Sequence, residues 1–224
     1  MIRKEFMGKV TEQMPKLVAE GRIPLSVAGV MEKRLNMRNV PYDDGMGYWK
    51  DNSFVTGDAL VYHPDGRVKI ILDSKTLREI TPESTINAGT LVLTEDIYDS
   101  LSGEEFKKGE CGKLENYLSK EEAKSHPIWK ILARDQALLN DYVDYFFTGE
   151  KIFFTGGSFK RLRRDGGMGI YMAPGTGSKT PRMGILENCG FTGGAQINVS
   201  QNIDHYKFGL DYDSNRLIGV FPRK

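Results

Sequence analysis

The sequence predicts an α+β protein. A helix-rich N-terminal part with one β-hairpin fills residues 1–149, and a glycine-rich part fills 150–224 as a small antiparallel sheet or partly open barrel. The boundary near 148–151 is weakly marked, and the two parts can share one core. Three observations carry this reading. Helical spacing of apolar residues dominates up to about Gly149 and stops there. Beyond Lys151, glycine becomes frequent and turn signals separate short strand-like runs. Charge also changes sign along the chain: residues 1–50 carry a net +3, residues 51–150 a net −8 and residues 151–224 a net +6, within a total of +1. Such an imbalance points to an anionic partner or to an internal acid–base interface.

Taken in order, Ile2, Phe6, Val10, Met14, Leu17 and Val18 follow helical spacing, with Pro15 expected to kink or break the helix and Gly21 to end it. A second helix is expected from about Pro24. Leu25, Ala28, Met31 and Leu35 form its apolar stripe, and Arg22, Lys33, Arg34 and Arg38 its basic outer side. Asn39–Asn52 reads as a loop, with Trp49 anchoring it to the core.

Phe54–His63 and Arg67–Asp73 read as a hairpin. His63-Pro64-Asp65-Gly66 supplies the fixed φ and the positive φ that a tight turn needs. Val68, Ile70 and Leu72 are expected to be its one buried face, and His63 and Asp65 to lie in an exposed turn.

Thr90–Leu93 reads as a strand, and Thr94 as the cap of a short helix with Glu95 and Asp96 in its first turn. Gly103–Gly112 reads as a loop. Ser119 and Glu122 fit a capping box, and Ser125-His126-Pro127 restarts the helix. Leu138, Leu139, Tyr142, Val143 and Phe146 form a stripe that Gly149 ends, with Asp135, Asp141 and Asp144 on the solvated side. Strands are then expected at Lys151–Phe154, Ser158–Arg163, Met168–Met172, Arg182–Leu186, Gln196–Val199, His205–Tyr212 and Arg216–Phe221.

Composition bounds the function. No apolar run reaches the roughly 18–20 residues of a membrane helix, and the N-terminus lacks a signal-peptide core. The chain is therefore read as cytoplasmic, with no membrane partner. Cys111 and Cys189 lack CxxC spacing, and His63, His126 and His205 are scattered, so no metal and no cofactor is expected. Gly175-Thr176-Gly177-Ser178-Lys179-Thr180 resembles a phosphate loop but lacks glycine directly before its lysine, and Pro181 discourages the helix such a loop needs. Lys179 and Arg182 remain candidates for anion contact. Phe154-Thr155-Gly156-Gly157 recurs as Phe191-Thr192-Gly193-Gly194 with little else aligned, as chance allows in a glycine-rich segment.

Lys160-Arg161-Leu162-Arg163-Arg164 is the densest basic run, with Phe153, Phe159 and Tyr171 on strands nearby. Cations that neutralise phosphate beside rings that stack on bases are the chemistry of single-stranded nucleic-acid binding. Lys160, Arg161, Arg163, Arg164, Lys179 and Arg182 are therefore the candidate binding residues, and no catalytic residue is assigned. The first functional reading is a non-enzymatic protein that contacts RNA or single-stranded DNA. The second is an assembly subunit whose basic surface meets an acidic protein partner or a copy of itself. The third is a hydrolase using Cys189 and His205, or a phosphate held near Lys179.

Overall fold

A computed structural model describes residues 3–41, 45–107, 110, 118–148, 151–155, 158–162, 169–172, 178–188, 196–199 and 209–222. The elements in chain order are β1 (Arg3–Met7), α1 (Val10–Ala19), β2 (Ile23–Pro24), α2 (Val27–Asn36), α3 (Met46–Asp51), β3 (Phe54–Tyr62), β4 (Val68–Ile71), α4 (Lys75–Arg78), β5 (Ile86–Asn87), β6 (Thr90–Val92), α5 (Glu95–Ser100), β7 (Glu104–Phe106), α6 (Lys120–Ser125), α7 (Pro127–Ala133), α8 (Gln136–Thr148), β8 (Lys151–Thr155), β9 (Ser158–Leu162), β10 (Gly169–Met172), β11 (Arg182–Asn188), β12 (Gln196–Val199) and β13 (Arg216–Val220).

Strand β3 organises the sheet. It pairs antiparallel with β4, Ala59 opposite Ile71 and Tyr62 opposite Val68, as its turn chemistry predicts. On the same edge, at Val55 opposite Leu217, it pairs parallel with β13, and along its other edge it pairs antiparallel with β11. Strand β13 also carries β1, with Arg3 opposite Val220 and Met7 opposite Arg216. Beyond β11 come β12, antiparallel, and β10, parallel to β12.

Among the described residues the result is one mixed, open 11-stranded sheet with β1 and β10 at the ends of its main path, and a separate two-stranded ribbon, β8–β9. The expected small antiparallel sheet or partly open barrel is thus corrected in two respects. The sheet contains parallel pairs, and it takes strands from both sides of residue 150. The backbone groups of a buried central strand need partners on both edges, and for β3 the C-terminal strands supply them.

Both faces of β3 are covered. Val55, Ala59 and Val61 of β3 pack with Val10, Met14 and Leu17 of α1, Leu77 of α4 and Tyr98 of α5. Leu60 packs with Val27 and Met31 of α2, Trp129 and Leu132 of α7, and Leu139 and Tyr142 of α8. All four residues of β4 are therefore buried, Lys69 included, and Leu72, beyond the strand, is exposed. The single buried face expected for this hairpin becomes two because helices lie on each side.

Several local expectations change as well. Residues 3–7 form a strand, although their apolar spacing continues smoothly into α1. Gly8, at φ +129°, separates the two elements in a conformation that side chains disfavour. Helix α1 runs on through Pro15, where burial of Val10, Met14 and Leu17 outweighs one lost backbone bond. The Leu210 carbonyl accepts from the Val10 N–H at 2.8 Å, satisfying one of the helix's orphan donors. Residues 46–51, expected as loop, are helix α3, with Trp49 buried as predicted. Residues 104–106, also expected as loop, pair with β4 as β7. Residues 209–212 form a turn rather than the end of a strand.

The helix caps are where the sequence placed them. Thr94 accepts from the Ile97 N–H. Ser119 Oγ accepts from Glu122 N–H at 3.3 Å, and Glu122 Oε2 accepts from Ser119 N–H at 2.7 Å. Replacing Ser119 by alanine is expected to lower stability by about 1 kcal/mol in urea titrations.

Candidate functional site

The predicted binding residues fall into two groups. Lys160 and Arg161 lie in β9, and Arg163 and Arg164 follow it outside the described residues. Strand β9 pairs antiparallel with β8, and the register sets Lys160 opposite Phe153, Arg161 opposite Ile152 and Phe159 opposite Phe154. The pairing therefore brings Lys151, Lys160 and Arg161 into one short ribbon with three phenylalanine positions. Tyr171, expected nearby, lies in β10 of the main sheet.

Lys179 and Arg182 flank the entry to β11. Lys179 is exposed. Arg182 is partly committed: its Nε donates to Ser178 Oγ at 3.0 Å and its Nη1 to the Asn87 carbonyl at 3.2 Å. Ser178 Oγ in turn donates to the Thr180 carbonyl at 2.7 Å. Leu93 N–H donates to the Pro181 carbonyl at 3.0 Å, fastening this stretch beside β6. Within the resemblance to a phosphate loop, residues 175–177 are outside the described residues, and Ser178 closes a local turn. Cys111, Cys189 and His205, the last two being the residues of the hydrolase reading, also lie outside the described residues.

Two charged clusters that the sequence did not disclose lie on the framework. The first is buried. Asp58, in the middle of β3, is fully buried and accepts from Val27 N–H at 2.8 Å, Asp73 N–H at 3.0 Å and Arg134 Nη2 at 2.8 Å. Burial pushes its carboxyl up from the ordinary value, against the pull of the Asp73 N–H and the Arg134 guanidinium. Arg134, which ends α7 at φ +63°, also pairs with Asp73 at 2.7 Å. One carboxylate thus joins α2, β3, the end of the hairpin and α7.

The second cluster surrounds the hairpin turn. His63 is only 12% exposed in its side chain. Its ring stands 4.8 Å from that of Tyr98, and its nitrogens meet Asp65 and Glu95. Arg67 Nε donates to Asp65 at 2.7 Å. The carboxyl of Asp65 lies at about 2, chiefly because it accepts from the Arg67 backbone N–H, with the Arg67 and His63 side chains adding to the effect. Burial and the neighbouring Glu105 raise the Tyr98 hydroxyl well above its ordinary value, so it stays protonated and donates to Glu105 at 2.9 Å. Nζ of Lys69 donates to the Tyr98 carbonyl at 2.9 Å and lies 4.2 Å from the Tyr98 ring centre. Of the turn expected to be exposed, Pro64 and Asp65 are exposed, and His63 is partly covered, its ring against Tyr98 of α5.

Arg34, expected on the basic outer side of α2, is 1% exposed. Its Nε donates to the Trp49 carbonyl at 2.9 Å, Nη1 to the Tyr142 hydroxyl at 2.9 Å and Nη2 to the Asn52 carbonyl at 3.0 Å. Between α2 and α8 an open groove of about 230 Å³ is lined by Glu32, Leu35, Asn36, Arg38, Leu138 and Asp141, none of them among the predicted binding residues. Among the described residues, no group of three or more His, Cys, Asp or Glu side chains is arranged to hold a metal ion. No described helix is long and apolar enough to cross a membrane.

No protein-family model matches the chain, and no curated protein matches it in sequence. It is similar to a solved structure from work on the accommodation of massive sequence variation in Nanoarchaeota by the C-type lectin fold. The TM-score is 0.64 and the identity 11%, over 98% of this chain and 96% of that one. The likeness is one of fold. It places this mixed sheet and its covering helices beside a C-type lectin fold along nearly the whole chain.

Proposed function

We propose that the chain is a non-enzymatic binding protein whose basic C-terminal surface contacts RNA or single-stranded DNA. The observation that carries this reading is the β8–β9 ribbon. It is a sheet separate from the main one and sets Lys160 opposite Phe153, Arg161 opposite Ile152 and Lys151 opposite Leu162, with the Phe154–Phe159 pair next to Phe153 and Lys160. Cations spaced among rings suit a strand of phosphates and unpaired bases, where each stacked base contributes roughly 1–3 kcal/mol. The net +6 of residues 151–224 supports the same reading. A framework whose fold neighbour is described as accommodating massive sequence variation suits a binder, since a fixed sheet can carry a changing surface.

Among the described residues, each strand of the ribbon pairs only with the other. Unpaired strand edges favour a second reading, in which an acidic protein partner or a second copy adds a strand there.

Absorbance at 260 and 280 nm, before and after a high-salt wash of protein purified at low salt, comes first. Salt-released nucleic acid supports the first reading, and a clean protein spectrum favours the second. Fluorescence anisotropy with a labelled single-stranded oligonucleotide then tests the surface. Replacing Arg161, Arg163 and Arg164 by alanine is expected to weaken binding and to flatten the salt slope by about 0.7 per lost phosphate contact. Unchanged affinity and slope in that variant would remove this surface from the proposal.

A further inference from the structure

We propose that the chain forms a two-fold dimer by antiparallel pairing of the β1 edges of two copies, with Arg3 of each copy opposite Glu5 of the other. Strand β1 ends the main path of the sheet, and among the described residues its backbone pairs with β13 alone. In an antiparallel ladder alternate residues bond to opposite neighbours. The edge of β1 away from β13 therefore presents N–H and C=O groups that another strand can take.

The side chains of this edge suit a copy of itself. Arg3 and Glu5 share one face of the strand. There the Arg3 guanidinium lies 5.0 Å from the Trp49 ring centre, and Glu5 pairs with Arg216 at 2.7 Å. Lys4 and Phe6 share the other face, where Lys4 pairs with Glu20 and Phe6 packs with Val10, Met14 and Leu17 of α1. A two-fold axis through Lys4 sets Arg3 opposite Glu5 twice, and opposite charges facing each other across a strand pair stabilise it. The same axis brings the two Lys4 side chains together, with the Glu20 of each copy beside them. An axis one residue further on, through Glu5, sets the two Glu5 side chains opposite each other and loses both ion pairs. Charge therefore selects the register.

Apolar exposure points to the same edge. Among the described residues five large apolar side chains are exposed, and three of them lie on β1 or on elements packed against it: Met7 at 51%, Val18 at 41% and Phe221 at 44%. Met7 ends β1, Val18 sits on α1 two residues before Glu20, and Phe221 follows β13. The Arg22 guanidinium, paired with Glu20, lies 4.3 Å from the Phe221 ring centre. Apolar groups gathered around an unpaired strand and rimmed by charge suit a protein contact. An isologous contact closes on itself, so association stops at two copies. This edge belongs to the main sheet, and the dimer does not depend on the β8–β9 ribbon or on what that ribbon binds.

The test is sedimentation velocity of the full chain over a range of concentrations. The wild type is expected to pass from 25.2 kDa to twice that mass. Arg3→Glu sets acid opposite acid at both positions, and Glu5→Arg sets base opposite base. Each variant alone is expected to stay monomeric where the wild type is dimeric. Mixed in equal amounts, the two variants again face acid with base at both positions, and dimers are expected to return. A wild type that is monomeric at every concentration, a dimer unweakened by Arg3→Glu, or a mixture no more associated than its components would overturn the proposal. Arg161→Ala is expected to dimerise as the wild type does, and loss of the dimer there would overturn the proposal by placing the contact on the ribbon. Should Glu5→Arg not fold, because Glu5 also holds Arg216, amide hydrogen exchange of wild-type residues 3–7 decides. Slower exchange in the dimer than in the monomer supports the pairing, and equal exchange refutes it.

Discussion

Replacing Asp58 by alanine is expected to lower the unfolding free energy by about 3–5 kcal/mol, the usual result of removing one partner of a buried charge pair. Three donors lose their acceptor together: the backbone N–H groups of Val27 and Asp73 and the guanidinium of Arg134. Arg134 keeps Asp73, so the loss falls mainly on the two amides and on the joint between β3, α2 and α7. Asp58→Asn preserves shape and one acceptor, and its effect should be clearly smaller. A urea denaturation series that includes Arg134→Met and the double variant separates the pair energy from the amide contacts.

The pH dependence has an informative sign. Burial raises the folded-state carboxyl of Asp58, so the folded chain binds that proton more tightly than the unfolded chain does. Its contribution to stability is present in acid and is lost as pH rises through the folded value. Asp65 is the reverse case. Its carboxyl, held at about 2, contributes above the ordinary carboxylate value and stops contributing as pH falls toward 2. Wild type and Asp58→Asn should therefore differ in the slope of stability against pH on the acid side, and wild type and Asp65→Asn should differ with the opposite sign.

Arg34→Ala is the second large effect, expected at roughly 3–5 kcal/mol. The side chain is buried, and its donors satisfy the carbonyls of Trp49 and Asn52 and the hydroxyl of Tyr142. Its guanidinium also lies 5.9 Å from the Phe54 ring centre. Truncation leaves those acceptors without this donor and opens a cavity among Trp49, Phe54 and Tyr142. Arg34→Lys restores the charge, yet a single ammonium cannot reproduce the planar fork, so it should recover only part of the loss. Thermal denaturation and tryptophan fluorescence would report both the stability and the seating of Trp49. An Arg34→Ala variant as stable as wild type would show that α3 does not depend on this residue.

The same residue shows where sequence reading stops. Arg34 lies on a helix beside Lys33 and Arg38, and nothing in helical spacing separates an arginine that points into the core from one in water. Its acceptors come from Trp49, Asn52 and Tyr142, so the signal is tertiary. The caps at Ser119 and Thr94 and the His63–Gly66 turn were legible because their bonding partners lie within a few residues. Strand β1 was not, because Phe6 falls four residues before Val10 and so mimics one more helical turn across Gly8. Strand β7 was not, because Glu104 and Glu105 read as solvated loop until β4 offers them a ladder. For the candidate site, the basic run was visible in the sequence and the placement of Lys160 and Arg161 on a separate ribbon was not. Asp58 and His63 were visible as residues, and their charge partners, Arg134 and Glu95, were not.

The position of β13 between β1 and β3 bears on how the chain acquires its structure. During synthesis, β1 emerges first but meets its neighbour only after some two hundred more residues have been made, and β3 must likewise wait for β11. Until then the ribosome-bound chain presents β3, apolar along most of its length, with an open edge. Helices α6–α8 and the β3–β4 hairpin can form early from local contacts, whereas the sheet closes late and through contacts distant in sequence. Folding of the released chain should therefore be slow compared with formation of its helices, and an arrested nascent chain should be prone to edge-to-edge association.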